Sequence, residues 1–589
     1  MLPVYIPEPQ HPHVLSDSTP TRVGDTADHS QIMSEPQPSS SKAPSENGPN
    51  GKFGEDELFP IQQAVMVHES THLGHDPSSA VHRGLKPRHI QLIAISGAIG
   101  AGVFISIGGP LSAGGPLGLL IGLSLWCFVI WCFSNCVIEM CTLLPVSGGY
   151  MHYAGRFLDP SARFASGYNQ ILGGISFVCF ELTAMQVVIQ YWHPDVNPAI
   201  TITLGLAGLC AANGISVRLY GEIEFWISIL KVILMLGLFL FTFITMLGGN
   251  PIHDRYGFRF WKNPGVFATD DAVGRLRGIW SGVTWGAFAV AGPDFLSVVA
   301  GETKDPRRVL PKCFNATIFR VIFFYIGSAL AVSINCPSDA PELLGGLSNA
   351  GRSPYIINMN RLMIPVLPSL VNAIVFTSIF STGSSFMFTA SRMLYTLSLH
   401  GQAPKVFSRV NRYGTPYLAV GLVASFGCLS YLTLSSQAGV VLVWFTNMTT
   451  ACTLMTWIII GITYIRFRQG VFAQGVSHIL PVKGYWQPFS AWFATIFSIF
   501  TLVFSGSYLF APGGFTVPDL IFSYFGAWFY IFNFCLWKIK GIVTGTQRGI
   551  GISVKEMDFV SDLEEIEELT ERERIERENR SEPALYTSA

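Results

Sequence analysis

Residues 224–247 read EFWISILKVILMLGLFLFTFITML, and this stretch decides the class of the protein. It is a nearly unbroken apolar run of the length that crosses a bilayer, since a spanning α-helix needs about 20 apolar residues. Lys231 stands in its middle. An ionisable residue at that depth is costly, so it indicates function and needs a partner. Glu181 and Asp294 lie in two other apolar runs, and we expect Lys231 to pair with one of them or with a charged substrate.

The composition places the whole chain in the same class. Its mean hydropathy is +0.41, and 13% of its residues are charged, against roughly a quarter in soluble domains. The net charge of -1 comes from polar tails around an apolar body and gives no basis for nucleic-acid binding. Most of the eleven Cys lie within apolar runs, where Cys behaves as a small hydrophobic residue. We therefore predict an all-α polytopic membrane protein without a disulfide framework.

Apolar runs of spanning length recur along the chain and predict about twelve transmembrane helices. Short basic loops are retained on the cytosolic side, and nearly all of them agree if the N-terminus lies in the cytosol. An even number of spans then leaves both termini cytosolic. The predicted spans lie near residues 89–112, 117–143, 163–192, 198–216, 224–248, 279–300, 313–335, 365–396, 417–435, 438–467, 488–510 and 517–540.

The sequence divides into a cytosolic N-terminal tail at residues 1–88, a transmembrane domain at 89–541 and a charged cytosolic tail at 542–589. The N-terminal tail has few large apolar residues, so we predict that it is disordered. It contains HESTH at 68–72, a pattern typical of zinc proteases. No amphipathic helix or catalytic domain accompanies this pattern, so we predict no enzyme and no metal site. Residues 561–578 alternate acid and base, which predicts a solvated helix, with a regulatory docking element as the alternative.

Two spans carry helix-breaking residues at mid-membrane. The first reads GAIGAGVF at 97–104 and the sixth reads AFAVAGPDFL at 287–296. Glycine in a helix costs roughly 1 kcal/mol against alanine, and proline removes a backbone hydrogen bond. The glycines either allow close helix packing or free backbone groups for a substrate. Because interrupted spans five apart are typical of an inverted five-helix repeat with a midplane site, we favour the second explanation.

Longer stretches resemble one known family across most of residues 82–545. Besides GAIGAGVF, they include FELTAMQVVIQYW at 180–192, YGEIEFWISILKVI at 220–233, GETKDPRRVLPK at 301–312 and SRMLYTLSLHGQAPKVFSRVNRYGTPY at 391–417. The chain resembles the fungal amino acid permeases of the amino acid-polyamine-organocation superfamily.

This resemblance implies two inverted five-helix repeats, with broken first and sixth spans, plus two extra helices. It also implies a plasma-membrane importer that moves amino acids together with protons and needs no cofactor other than the proton gradient. The expected partners are an amino acid substrate and membrane lipid, with cytosolic trafficking or ubiquitination machinery on the tails. The preferred amino acid and the oligomeric state stay open.

A zwitterion at the midplane needs partners for both of its charges. Backbone N–H groups of the interrupted first span suit the carboxylate, and carbonyls at both breaks suit the ammonium. Walls of the site would supply side-chain specificity. The predicted substrate-binding residues are Ser96, Gly97, Ala98, Ile99, Gly100, Ala101, Gly102, Phe104, Phe288, Ala291, Gly292, Asp294 and Ser384.

Lys231, Glu181 and Asp294 are the predicted proton-coupling residues. In sodium-coupled relatives of this fold, hydroxyls of the eighth span hold the ion, and Ser381, Thr382, Ser384 and Ser385 are the corresponding candidates here. A lysine ammonium at that place substitutes for the metal charge, so we favour protons over sodium. A permanently paired Lys231 that clamps the first and eighth spans is the structural alternative. A receptor that keeps the transporter fold without flux and a sodium-coupled or exchange transporter are the functional alternatives.

Overall fold

A computed structural model gives the architecture of the chain, and helices account for all of its regular secondary structure among the described residues. The description begins at Gly100, so the first half of the first predicted span and the HESTH pattern lie outside it. It covers residues 100–575 except 147, 216, 291, 293, 295–296, 298–299, 301–305, 345–352, 437, 511–514, 548, 550, 560, 562–566, 569–570 and 573–574.

Helices form because backbone groups in a lipid environment must find hydrogen-bond partners within their own segment. The first described element is a π-helix, Gly102–Ser106. The helices of eight residues or more are α1 (Gly108–Leu143), α2 (Pro160–Ile189), α3 (Pro198–Gly214), α4 (Val217–Met246), α5 (Ala272–Ala289), α6 (Pro306–Asn335), α7 (Pro354–Arg361), α8 (Leu367–Leu399), α9 (Tyr417–Gly427), α10 (Ala438–Ala473), α11 (Phe489–Phe504) and α12 (Val517–Val543).

Nine helical segments in the described part of the chain are long and apolar enough to cross a membrane, and α3 is a shorter apolar helix. The prediction of an all-α polytopic membrane protein is therefore confirmed. Helix α5 is not one of the nine, and it carries Arg275 and Arg277 near its start. The number of twelve spans stays a prediction, as does the inverted repeat. All eleven Cys are free thiols.

Helix α1 contains the end of the first predicted span and the whole of the second. The two parts meet at Gly115, where the backbone is left-handed with φ of 70°. Only glycine adopts this conformation readily, and Pro116 then starts the second part. The kink therefore falls between the two predicted spans, 89–112 and 117–143.

The predicted break of the sixth span is visible where the chain is described, whereas much of the predicted break of the first span lies outside the described residues. The first span passes through the π-helix, a rare form that often marks functional sites. In the sixth span, α5 ends at Ala289 and Val290 has an extended backbone, with φ of -84° and ψ of 118°. The helix thus ends before Gly292 and Pro293, the residues whose sequence predicted the break.

The core has two main packing layers. Helix α2 packs against α8 and α10, and α1 packs against α5 and α6. In the second layer, a Cβ at Gly122 would clash with the Gly282 carbonyl carbon. Small residues at such contacts allow two membrane helices to approach closely. These layers place the π-helix and the end of α5 beside the middle of α2 and α8.

The C-terminal segment 551–559 packs back onto the face of the domain that carries the start of α2. Phe559 is 1% exposed and stacks on Phe157, while Gln474 donates to the Met557 carbonyl over 2.8 Å. The Gly551 N–H donates to Asp159 over 2.9 Å. Part of the tail that begins at 542 is therefore docked, because Met557 and Phe559 give it apolar surface to bury.

Candidate functional site

A cavity of about 100 Å³ lies between Gly100 and Gly102 of the first span and the end of α5 in the sixth. Such a volume exceeds the ~15 Å³ that a single water needs, so the cavity has room for a small solute. Helices α2, α6, α8 and α10 complete its wall. Six of the predicted residues line this cavity together, namely Gly100, Gly102, Glu181, Phe288, Gly292 and Asp294.

Side chains of other helices lie very close to two glycines of the first span. A Cβ at Gly100 would lie 2.6 Å from Oε1 of Glu181, and a Cβ at Gly102 would lie 3.2 Å from Cε1 of Phe288. Real Cβ atoms do not approach other atoms as closely as the first of these distances. These glycines therefore make room for groups of the cavity wall, which agrees with the substrate explanation for the cluster.

Aromatic rings form the apolar part of the wall. Phe177 and Phe386 stack with their ring centroids 3.8 Å apart and nearly parallel, and Phe177 also stacks on Phe288 at 5.6 Å. The sequence reasoning selected Phe288 and missed the other two. Phe177 stands four residues before Glu181, and Phe386 four residues after Thr382. That spacing places each phenylalanine on the same helix face as a polar residue of the cavity wall. The spacing could therefore have identified both phenylalanines from the sequence.

Lys231 is 0% exposed and lies behind the cavity wall. Its Nζ donates to Thr382 Oγ1 over 3.0 Å, and Thr382 itself lines the cavity. The expected contact between Lys231 and the eighth span is therefore present. Nζ also lies 4.0 Å from Glu224 Oε1, and Glu224 Oε2 accepts a hydrogen bond from Ser381 over 2.6 Å.

Glu224 is a partner that the sequence reasoning did not select, since it expected Glu181 or Asp294. It begins the stretch that decides the fold class, seven residues before Lys231. Seven residues are nearly two helical turns, so the two side chains share a face of α4. A charge at the start of an apolar run was easy to assign to the membrane surface, yet only 12% of its side chain is exposed.

Glu181 is buried beside the interrupted first span, with 1% of its surface exposed. Its carboxyl accepts a hydrogen bond from the backbone N–H of Ala101 and interacts electrostatically with Lys231. Its Oε2 atom has no hydrogen-bond partner in the structure. Glu181 thus accepts a hydrogen bond from an N–H group in the region where the sequence predicted binding of the substrate carboxylate.

Other predicted residues lie away from the cavity or outside the description. Ser384 accepts a hydrogen bond from Asn213 over 2.9 Å and does not line the cavity, because it lies two residues after Thr382, about 200° around the helix. Phe104 is fully buried and, like Ala101, is not part of the wall. The roles of these three residues stay predictions. Ser96, Gly97, Ala98, Ile99 and Ala291 are outside the described residues.

A second buried ion pair joins α1 to α10. Glu139 in α1 is 0% exposed, accepts from Tyr464 over 2.6 Å and lies 3.2 Å from Nη1 of Arg468. The N–H of Gly484 also donates to it. The sequence reasoning missed Glu139, although it is an acid within a predicted span. Since its contacts are all to neighbouring protein groups and it does not line the cavity, the pair ties helices together.

Among the described residues, no group of three or more His, Cys, Asp or Glu side chains is placed to hold a metal ion.

Comparison with known sequences identifies related proteins. The model of the amino acid permease family matches residues 89–543. A proline-specific permease of Emericella nidulans is 36% identical over 85% of this chain and 92% of its own length. The general amino acid permease AGP2 of Saccharomyces cerevisiae is 36% identical over 81% of the chain and 84% of its own length. A dicarboxylic amino acid permease of the same yeast is 34% identical over 79% of the chain and 78% of its own length.

Proposed function

This chain belongs to the amino acid permease family, and we propose that it is a secondary active transporter that imports L-amino acids across the plasma membrane by proton symport with alternating access. The observation that carries the proposal is the position of Glu181, a buried carboxyl on the cavity wall that accepts the Ala101 N–H.

The substrate backbone binds at the two breaks. Backbone N–H groups near Gly100 and Gly102, the residues of the first span that line the cavity, would bind the substrate carboxylate. A helix N-terminus in the first span would favour this arrangement, because the N-terminal end of a helix is electropositive. The carbonyl groups that follow Phe288 lie at the end of α5. The Ala289 carbonyl accepts a hydrogen bond from Tyr325 over 2.6 Å and keeps a second lone pair, so we assign these carbonyls to the ammonium.

Proton coupling follows from competition for the first of these positions. A charged Glu181 and a substrate carboxylate both require N–H groups of the same part of the first span, and two negative charges at short range in a low-dielectric site repel each other. A proton on Glu181 removes that repulsion, so proton binding and substrate binding favour each other. Such coupling is reciprocal. The substrate therefore carries a proton inward as the same cavity opens to the cytosol.

Contacts of the eighth span favour protons over sodium as the driving ion. Ser381 donates to Glu224, and Thr382 Oγ1 accepts from Lys231 and donates to the Ser378 carbonyl. Ser384 and Ser385 accept from Asn213 and Tyr220. All four hydroxyls proposed as sodium ligands are thus already engaged. A proton gradient supplies roughly 2.3 kcal/mol per 100 mV and about 1.4 kcal/mol per pH unit.

Binding of a radiolabelled amino acid to the purified protein, measured across pH, tests the proposal. We expect the affinity of the wild type to rise as the pH falls, because protonated Glu181 leaves the Ala101 N–H to the substrate. Glu181→Gln, which is neutral at every pH, should bind with an affinity that does not depend on pH. A pH dependence that survives in Glu181→Gln would contradict the assigned role of Glu181.

Uptake into liposomes distinguishes transport from its alternatives. We expect accumulation in response to an imposed pH gradient and no stimulation by a sodium gradient. Binding without uptake would indicate a receptor, and uptake that requires only internal amino acid would indicate an exchanger. We also propose that both termini lie in the cytosol and that they bind trafficking or ubiquitination machinery.

A further inference from the structure

The lining of the cavity extends along α2 beyond the site at Gly100 and Glu181. Asn169 and Glu181 both line it, and both lie in the continuous helix α2. Twelve residues of α-helix span roughly 18 Å, whereas one extended residue spans about 3.6 Å. The site at Gly100 and Glu181 therefore occupies only one end of the cavity, and the other end lies in the half of α2 nearer to its start.

Asn169 presents an unpaired acceptor at this second end. It is 1% exposed, and its Nδ2 donates to the Cys452 carbonyl over 2.9 Å and to Thr456 Oγ1 over 3.1 Å. Because a carbonyl oxygen can only accept, the amide nitrogen must face Cys452, and this fixes the orientation of the side chain. Its Oδ1 is left without a partner.

Thr317 of α6 lines the same cavity with a second unpaired group. Its Oγ1 is buried and has no hydrogen-bond partner. Buried polar atoms in native proteins are nearly always paired, so two orphaned atoms on one cavity wall need an explanation. Thr317 stands eleven residues after the start of α6 and Asn169 nine after the start of α2, both on the side that the basic loops predict to be cytosolic.

We propose that Asn169 and Thr317 form a second, transient amino acid site between the midplane site and the cytosol. The inference rests on the proposed import function. Asn169 Oδ1 accepts a hydrogen bond from the substrate ammonium, and the Thr317 hydroxyl donates to the carboxylate. The ligand class is a zwitterionic amino acid on its way out. A weak polar site on the exit path lowers the barrier between release from the midplane and entry into water, since passage needs sites that bind and also let go.

The competing explanation is that these groups only hold helices together. Asn169 does tie α2 to α10 through Cys452. Thr463 of α10 offers a matched control, because it is 1% exposed, its Oγ1 is also unpaired, and it does not line the cavity. Thr317→Val and Thr463→Val make the same chemical change, one on the cavity wall and one away from it.

The test compares equilibrium binding of a radiolabelled amino acid with its maximal uptake rate in proteoliposomes. We expect Thr317→Val and Asn169→Leu to slow uptake roughly tenfold, the effect of losing a hydrogen bond to a charged group, with binding affinity within about twofold of wild type. Thr317→Ser, which keeps the hydroxyl, should restore the rate. Thr463→Val should behave as wild type.

Wild-type rates in Thr317→Val would overturn the inference, even if Asn169→Leu failed to fold. Equal slowing in Thr463→Val would also overturn it, because the effect would then come from general packing. A wild-type protein that binds amino acid without moving it would overturn the proposed import function itself, and this exit site with it.

Discussion

Gly100→Ala is the smallest change that tests whether the cavity is the substrate site. The new Cβ would lie 2.6 Å from Glu181 Oε1 and 3.0 Å from Thr382 Cγ2. Both neighbours are buried, so they have little room to move away. Overpacking of this kind costs about 1–3 kcal/mol of folding stability. Because the displaced Glu181 carboxyl lies on the cavity wall, we expect substrate binding to lose a comparable free energy, and 1.4 kcal/mol is a factor of ten in affinity. We therefore expect substrate affinity to fall by about 5- to 150-fold, and Gly100→Val to abolish uptake.

Gly109→Ala is the matched control for that substitution. Gly109 follows the π-helix within α1, and a Cβ there would meet no atom within 4 Å. Both variants should reach the cell surface in normal amounts, which surface labelling measures. Binding of radiolabelled amino acid to the purified proteins then gives the affinities. Normal affinity in Gly100→Ala, or an equal loss in Gly109→Ala, would show that these glycines do not serve substrate binding.

Four further substitutions test the charged groups. Lys231→Met should still bind substrate but no longer concentrate it in liposomes under a pH gradient, since methionine cannot gain or lose a proton and so cannot change its contact with the eighth span. Retained accumulation would show that Lys231 is a structural clamp. Asp294→Asn should change the relative affinities for several amino acids more than it changes folding, because Asp294 lines the cavity; identical affinities in the purified variant would exclude that role. Asp159→Asn leaves the buried Lys538 without its ionic partner and should lower the free energy of unfolding by about 3 kcal/mol. Asp254→Asn, which breaks a more exposed pair, should lower it by about 1 kcal/mol or less; thermal unfolding of both variants compares them, and equal losses would contradict this reasoning.

The pKa of the Asp159 carboxyl reflects opposing effects at the docked tail. Burial raises this pKa, but hydrogen bonds from Lys538 and from the N–H groups of Ser161 and Gly551 more than compensate, so the pKa lies below its usual value. A carboxyl with a depressed pKa contributes stability above its ordinary pKa and loses it as the pH falls through the lowered value. Asp159 therefore holds the tail across the physiological range.

The membrane architecture followed from the sequence because lipid leaves the backbone few choices. Long apolar runs became helices, and glycine and proline at mid-span marked the end of α5 before the extended backbone of Val290. Lys231 was recognisable because its surroundings are apolar over many residues. These features depend on local composition, which a sequence displays directly.

Features that depend on the rotation of one helix against another were harder to predict. Ser384 and Thr382 are two residues apart in one polar run, yet only Thr382 lines the cavity. Glu224 became the neighbour of Lys231 because both lie on one face of α4, a relation visible in the spacing but easily overlooked. The docking of residues 551–559 depends on contacts with Phe157 and Gln474, which lie far away in the chain and have no local sequence signal.

Proton movement that accompanies amino acid entry is the most direct measurement of the central claim. Purified protein is reconstituted into liposomes that enclose a pH-sensitive dye, with no ion gradient, and an amino acid is added outside. The account predicts that the interior becomes more acidic as labelled amino acid enters, and that Glu181→Gln abolishes the acidification. Entry of amino acid with no change in internal pH, or entry only when sodium is present, would contradict it.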